Sequence, residues 1–331
     1  MIRINFFAGC IGLFFIILLT AACHPSGRTA RSEPVSVGDS AQVKLGTILF
    51  FDPRLSRDGT VACATCHNPR SAWTDRLPVA VGIQGRKGIR RSPSLSNVAG
   101  QDLLFRDGRA ASLEAQVWGP ITHPDEMGRE SPEALVRELR NIPGYRPLFR
   151  AAFGDDSISP DHIAAALAEF ERTLRAGNSR FDQYRKGKTG ALDASELRGM
   201  NLFFGRANCV RCHSGSNFSD GDFHNLGVGM DRPMPDWGRY LITKDEEKRG
   251  AFKTPRLRDV SKRPPYMHDG SLATLVEVID FYDRGGNPNP WISPRISKLH
   301  LGPREKQDLL AFLKALESQS YPRVREPKRL P

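Results

Sequence analysis

Apolar residues recur at helical spacing in several stretches of the chain, and recognisable start signals stand before them. Ser-Pro-acid triplets at residues 131–133 and 159–161, and a proline at residue 303, are typical of the first turn of a helix. Sustained alternation of β-branched residues, which would indicate strands, is missing. The pattern therefore predicts an all-α fold with long loops. The predicted core stripes are Leu135, Leu139 and Ile142; Ile163, Leu167, Phe170 and Leu174; and Leu309, Leu310, Phe312, Leu313 and Leu316.

A loose internal repeat divides the chain. Residues 45–51 and residues 197–204 both carry apolar residues at helical spacing, end in a Phe-Phe pair and precede a cysteine pair across a short loop. This similarity indicates two related helical domains that arose by duplication. We place them at residues 41–188 and 189–331.

The first 22 residues have the composition of a secretory signal peptide. Arg3 is their only charged residue, an apolar stretch covers residues 6–19, and small residues precede Cys23. A membrane anchor is the alternative, because residues 4–23 are uncharged. The small residues before Cys23 also resemble a bacterial lipoprotein signal, in which that cysteine carries lipid. Either way, we expect the mature chain to work in the periplasm, with residues 23–40 as a linker.

The cysteines carry the most specific signal. Four of the six form two C-x-x-C pairs, each followed at once by histidine: Cys63-Ala-Thr-Cys66-His67 and Cys209-Val-Arg-Cys212-His213. C-x-x-C-H is the attachment signal for c-type haem, in which both sulfurs bond to the porphyrin and the histidine binds the iron. A four-cysteine zinc site would need neither histidine, a thioredoxin-like motif would not occur twice, and disulfides rarely close over two residues. We therefore predict two covalently bound haems.

Composition and charge restrict the classes of partner that the protein can have. With 39% hydrophobic and 26% charged residues, the 331-residue chain can bury a core and is not a disordered protein. The net charge is +11, but the basic residues are scattered rather than grouped with aromatic residues, so we expect no nucleic-acid partner. The densest basic run, residues 86–91, is interpreted as a solvated loop or as a partner for buried carboxylates. Four propionates on two haems would absorb part of the positive charge.

From about residue 41 to its end, the chain resembles bacterial dihaem cytochrome c peroxidases and their MauG-type relatives. In addition to both C-x-x-C-H motifs, residues 105–116, 119–121 and 124–128 look like the loop over the family's peroxidatic haem. Residues 252–255, 257–258 and 265–271 look like the segment that packs on the second haem. The resemblance implies two cytochrome c-like domains, an N-terminal peroxidatic one and a C-terminal electron-relay one.

The resemblance also implies roles at the first haem, which Cys63, Cys66 and His67 would hold. Glu126 matches the family's distal acid/base, and Gln116 matches its glutamine partner. A carboxylate above an open iron can take a proton from hydrogen peroxide and return it to the departing oxygen. The alternative for Glu126 is a solvated acid at a helix start.

At the second haem, held by Cys209, Cys212 and His213, the sixth iron ligand distinguishes the branches of the family. The ligand position, fourteen residues after His268, is Tyr282. MauG-type proteins have tyrosine there, whereas the peroxidases proper have methionine. The alternative is that Tyr282 only packs, which would leave Met230, Met234 or an open site. His268 itself is expected to bond a propionate.

Three positions depart from the family pattern. A histidine that blocks the peroxidatic iron in many of the peroxidases aligns with Ile83, which cannot bind iron. The tryptophan between the haems aligns with Arg106, so Phe105, Trp118 or a direct jump would have to carry the electron. An asparagine ligand of the inter-haem calcium aligns with Arg91, which puts calcium in doubt.

Together these features predict a dihaem c-type peroxidase that reduces hydrogen peroxide at the first haem with electrons relayed through the second. The alternatives are peroxide-dependent oxidation of side chains on a partner protein, as in MauG, and a pure electron-transfer cytochrome. The expected partners are hydrogen peroxide and either a small electron donor, cytochrome c or cupredoxin, or a protein substrate. A second copy of the chain is a further candidate, because many relatives dimerise.

Both haems should remain attached when the protein is denatured. Mass spectrometry and the pyridine haemochrome spectrum should give two haems per chain, and one after Cys63→Ala is combined with Cys66→Ala. The matched pair, Cys209→Ala with Cys212→Ala, should also leave one. Haem that extracts from the wild-type chain into acidic organic solvent would contradict covalent attachment.

Overall fold

Helices account for nearly all regular structure in the computed structural model, which describes residues 40–331. The α-helices of this part are α1 (Ala41–Phe51), α2 (Cys63–Cys66), α3 (Leu113–Thr122), α4 (Pro132–Arg140), α5 (Tyr145–Phe153), α6 (Pro160–Arg172), α7 (Arg180–Arg185), α8 (Ala194–Phe204), α9 (Tyr240–Thr243), α10 (Leu275–Asp283) and α11 (Pro303–Ala315). The described strands are β1 (Phe223–His224) and β2 (Phe252–Lys253), which pair antiparallel. The all-α prediction is confirmed apart from this short ribbon.

The three predicted helix starts are confirmed at α4, α6 and α11. Ser131 and Ser159 cap α4 and α6, since each side-chain oxygen accepts the backbone N–H three residues later. Proline stands at the first position of all three helices, where its missing N–H costs no hydrogen bond.

The two repeated segments form equivalent helix pairs. Gly46 of α1 faces α6, where an added Cβ would lie 2.0 Å from the carbonyl oxygen of Ala166. Gly199 of α8 faces α11 in the same way, and its Cβ would lie 1.9 Å from the carbonyl oxygen of Asp308. Each glycine stands five residues before the end of an 11-residue helix, and each partner helix has 13 residues. Glycine therefore allows both helix pairs to pack backbone against backbone.

Separate hydrophobic cores form around the two pairs. Buried residues of the first core lie between Leu45 and Leu174, and those of the second between Phe181 and Leu316. Phe181 of α7 packs edge-on against Phe312 in the second core, although it precedes the boundary that we place after residue 188. The domain limits at residues 41–188 and 189–331 stay predictions.

The predictions for the start of the chain fall mostly outside the part that the structure describes. The signal peptide of residues 1–22, lipid on Cys23 and nearly all of the linker lie there. Among residues 40–331, no helix is long and apolar enough to cross a membrane.

Alanine at either helix crossing should destabilise the fold. Gly46→Ala and Gly199→Ala place a methyl group on a backbone carbonyl, and overpacking of this kind costs about 1–3 kcal/mol of unfolding free energy. Denaturant titration of the haem-loaded protein measures the loss. Gly190→Ala is the control, because a Cβ there meets nothing within 4 Å. An unfolding midpoint that is unchanged in both crossing variants would show that the helices separate without cost.

Candidate active site

The first C-x-x-C-H motif folds so that its histidine has one ring nitrogen fixed and the other available. The motif forms the one-turn helix α2, and the Nδ1 of His67, just after it, lies 3.2 Å from the carbonyl oxygen of Trp73. Because a carbonyl only accepts hydrogen bonds, Nδ1 carries the proton and Nε2 is left to bind a metal. Burial lowers the pKa of His67, which favours the neutral ring that a metal requires.

The second motif repeats this arrangement with a tighter turn. Cys209–Arg211 forms a 3-10 turn, and the Nδ1 of His213 donates to the carbonyl oxygen of Phe218 at 3.0 Å. Burial lowers the pKa of this imidazole as well. Trp73 and Phe218, the two acceptors, both have left-handed backbone conformations, with φ of 62° and 55°. Both motifs thus orient one histidine through a backbone carbonyl of the following loop.

The four thiols do not form one metal site. Cys63 and Cys66 lie on one cavity with His67, and Cys209 and Cys212 lie on another with His213. Burial raises the pKa of Cys63, Cys66 and Cys209 to about 12. Because the two pairs line separate cavities, they do not come together as one four-cysteine zinc site, and each pair has the separate pocket that thioether attachment needs.

Glu126 and Gln116 share the first cavity with His67. This cavity has a volume of about 140 Å³. Gln116 projects from α3, while Glu126 lies in the turn that follows, where its backbone carbonyl accepts the N–H of Ile83 at 2.8 Å. Burial raises the pKa of Glu126, although His123 and Arg109 oppose the shift. A carboxyl that is half-buried in the cavity is not the solvated helix-start acid of the alternative interpretation.

Ile83, the residue that aligns with the family's blocking histidine, does not line the first cavity. Ile83 is fully buried in the first core and does not line the cavity. A Cβ on Gly128 would lie 2.3 Å from its Cδ1, so its side chain packs under the turn that carries Glu126. Ile83 therefore supports the loop rather than the space above His67.

The second cavity, of about 650 Å³, contains Tyr282 together with His213. Burial raises the pKa of Tyr282, and its hydroxyl has no hydrogen-bond partner among residues 40–331. Met234 is 90% exposed, and Met230 does not line the cavity. His268 lines the cavity and stacks on Phe252 with ring centroids 3.8 Å apart.

Buried and half-buried cations around this cavity fit the carboxylates of a haem. Its walls include Arg91, which is buried, and Arg106, Lys253, Arg256 and Arg263, which are half-buried, and no Asp or Glu of the described chain. The arginines donate to backbone carbonyls, for example Arg256 to Ser94 at 2.6 Å, and the Nε of Arg91 has no hydrogen-bond partner among residues 40–331. Burial lowers the pKa of Lys253 to about 7 and that of Arg256 to about 9. Such a site needs anions, which haem propionates would supply.

Comparison with known proteins agrees with this geometry. A family model described as di-haem cytochrome c peroxidase matches residues 40–190. Methylamine utilization protein MauG of Methylorubrum extorquens is 45% identical over 297 residues, 89% of this chain and 81% of that protein. The chain belongs to the dihaem cytochrome c peroxidase and MauG family. Cytochrome c551 peroxidase of Nitrosomonas europaea is 34% identical over 306 residues, covering 90% of this chain and 88% of its own.

A solved structure supports the family fold. The crystal structure of a MauG-like protein associated with microbial copper homeostasis superposes with a TM-score of 0.78 at 34% identity. The match covers 87% of this chain and 93% of that one. The family resemblance predicted from the motifs is confirmed, and a dihaem family implies two c-type haems.

Sequence reasoning missed part of both cavities. Glu171 of α6 lines the first, is 6% exposed, and has one carboxyl oxygen without a partner. The second is lined by Lys253, which ends β2, and by Arg256 and Arg263, which lie in loops and carry no periodic signal. Two features of the sequence indicate these residues: the acidic Glu171 on the apolar face of α6, and the excess of basic residues in the chain.

Proposed function

We propose that this chain is a dihaem c-type peroxidase that reduces hydrogen peroxide to water, H2O2 + 2 e⁻ + 2 H⁺ → 2 H2O. Peroxide would be reduced in the cavity of His67, with electrons arriving through the cavity of His213. The observation that carries the proposal is the placement of Glu126 and Gln116 in the same cavity as His67.

The chain's own residues would hold each cofactor and move the proton. Cys63 and Cys66 would bind the first haem, and His67 would bind its iron through Nε2. Haem iron supplies a binding site for peroxide and the electrons that cleave its O–O bond. Glu126, as carboxylate, would take the proton from the oxygen nearer His67 and return it to the leaving oxygen, while the Gln116 amide would orient the peroxide.

A second candidate function, peroxide-dependent oxidation of side chains on a partner protein, has its own support. Tyr282 stands in the second cavity, and of Met230 and Met234 neither lines it. The MauG proteins of two organisms are 45% and 42% identical to this chain, compared with 34% for the c551 peroxidases. In this second function, Tyr282 would bind the iron of the second haem, and its phenolic oxygen would favour higher oxidation states of that iron.

The partners in this proposal are hydrogen peroxide and a small cytochrome c or cupredoxin, or a protein substrate in the second version. We place the reaction in the periplasm, because haem is attached to C-x-x-C-H motifs outside the cytoplasm. Calcium is not part of the proposal. Arg91 already directs its guanidinium to the carbonyl oxygens of Arg263 at 2.9 Å and Pro264 at 3.4 Å.

Replacing Glu126 tests the proton transfer. Glu126→Gln keeps the size of the side chain but removes the base, so the rate of reaction with peroxide should fall roughly 10²-fold or more with unchanged haem content. In the wild type, the rate should rise with pH as the carboxyl ionises, with a midpoint above the usual glutamate range because burial raises its pKa. This rise of the rate with pH should be absent in Glu126→Gln.

The matched control is Glu130→Gln, an exposed acid four residues further along, which should react at the wild-type rate. Steady-state oxidation of a reduced small cytochrome by peroxide then separates the peroxidase from both side-chain oxidation and simple electron transfer. If Glu126→Gln reacts with peroxide as fast as the wild type, the proton shuttle is another residue.

The all-ferric protein should react with peroxide without prior reduction. Between His67 and Glu126 the chain has no methionine and only one histidine, His123, which is exposed and does not line the cavity. Because Ile83 is buried elsewhere and Met127, which lines the cavity, is packed in the first core, the first iron would keep an open face and should show a high-spin signal at rest. Electron paramagnetic resonance of the resting protein and stopped-flow mixing with peroxide measure both properties.

Tyr282→Phe provides the internal comparison for the second haem. If Tyr282 binds the second iron, the resting protein also has a low-spin signal, and this signal alone disappears in the variant. A wholly low-spin ferric protein that is inert to peroxide until reduced would show that another side chain closes the first iron.

A further inference from the structure

Arg106 stands on the wall that the two cavities share. Only five residues of the described chain line both the cavity of His67 and that of His213: Arg91, Pro93, Phe105, Arg106 and Gln116. Arg106 is held by hydrogen bonds with backbone groups of residues in both halves of the chain. Its carbonyl oxygen accepts the N–H of Lys253 at 2.8 Å, and its Nε donates to the carbonyl oxygen of Arg91 at 3.0 Å.

The terminal nitrogens of this guanidinium have no acceptor among residues 40–331. The nearby carboxylates are already used: Asp107 bonds Arg90 and Arg109, and Asp269 bonds Arg232. Asp236 also bonds Arg90, at 2.6 Å, and no ion pair of the described residues joins Arg106 to Glu126 or Glu171, the acids that line the first cavity.

The surroundings of Arg106 are positive. Burial, and then the charges of Arg91 and Arg90, lower its pKa to about 9. A guanidinium remains protonated at neutral pH, so a buried one requires an anion. The fork of N–H groups can bind more than one carboxylate oxygen at once.

We propose that Arg106 is an anion-binding residue shared by both haems, with its guanidinium bound to a carboxylate of each. A fixed positive charge stabilises the reduced, more electron-rich state of each iron, so Arg106 would raise both reduction potentials. Its side chain has no oxidisable ring, so its contribution between the haems is charge and not a radical site. The proposal rests on the two haems and not on the reduction of peroxide.

Redox titration of the haem-loaded protein, without peroxide, tests this role. In Arg106→Gln, which removes the charge and keeps hydrogen-bonding groups, both midpoint potentials should fall. Arg106→Lys keeps the charge, so its potentials should lie closer to those of the wild type. Two haems per chain and an unchanged thermal midpoint establish that each variant is folded.

Arg256→Gln is the matched control. Like Arg106, Arg256 is half-buried and bonded to a backbone carbonyl, but it lines only the second cavity, so only the potential of the second haem should fall. If Arg106→Gln shifts one potential or neither, the shared role is wrong. If Arg106→Gln fails to fold, Arg106→Lys provides the test. The shared role is then wrong if both midpoint potentials of Arg106→Lys fall as far as the potential of the second haem falls in Arg256→Gln. None of these outcomes depends on turnover.

Discussion

The burial of cations without carboxylates is the constraint on which the described structure depends. A buried guanidinium keeps its proton, and leaving it without an anion costs several kcal/mol. Arg91, Arg106 and Arg256 nevertheless surround the second cavity with backbone carbonyls as their hydrogen-bond acceptors. The fold is therefore built to enclose negative charge. Part of the positive charge of the chain, whose net charge is +11, therefore lines this cavity.

The same scaffold is used twice, with different groups in its two cavities. Glycines at equivalent positions, Gly46 and Gly199, bring each helix pair together, and the histidine of each C-x-x-C-H motif is fixed by a carbonyl of the next loop. The contents differ. The first cavity has two carboxyl groups, Glu126 and Glu171, with raised pKa values, whereas the described walls of the second have cations and Tyr282. The repeated helix pairs form similar frames, and Glu126 in the turn after α3, Glu171 on α6 and Tyr282 on α10 give the two cavities different chemistry.

Local signals in the sequence predicted what depends on neighbouring residues. Serine caps and prolines located α4 and α6, and the spacing of two cysteines and a histidine located both candidate haem sites, because these features act within one turn. The buried cations could not be predicted in this way. Arg106 and Lys253 meet because a loop and strand β2, 147 residues apart, join by a backbone hydrogen bond. Isoleucine has no group that binds iron, but only the packing of Ile83 against Gly128 shows what this side chain does instead.

The second cavity, in the proposed arrangement, combines two opposing effects on its iron. An oxygen ligand such as Tyr282 stabilises the oxidised metal, whereas the surrounding cations stabilise the reduced one. Anion binding would also change the cations themselves. The pKa of Lys253 is lowered to about 7 by burial and by Arg256 and Arg106, and a carboxylate beside it would raise that pKa again. Near neutral pH, the seating of an anionic cofactor would thus be accompanied by proton uptake. The positive charge of these cations would then favour reduction of a haem iron that has an oxygen ligand.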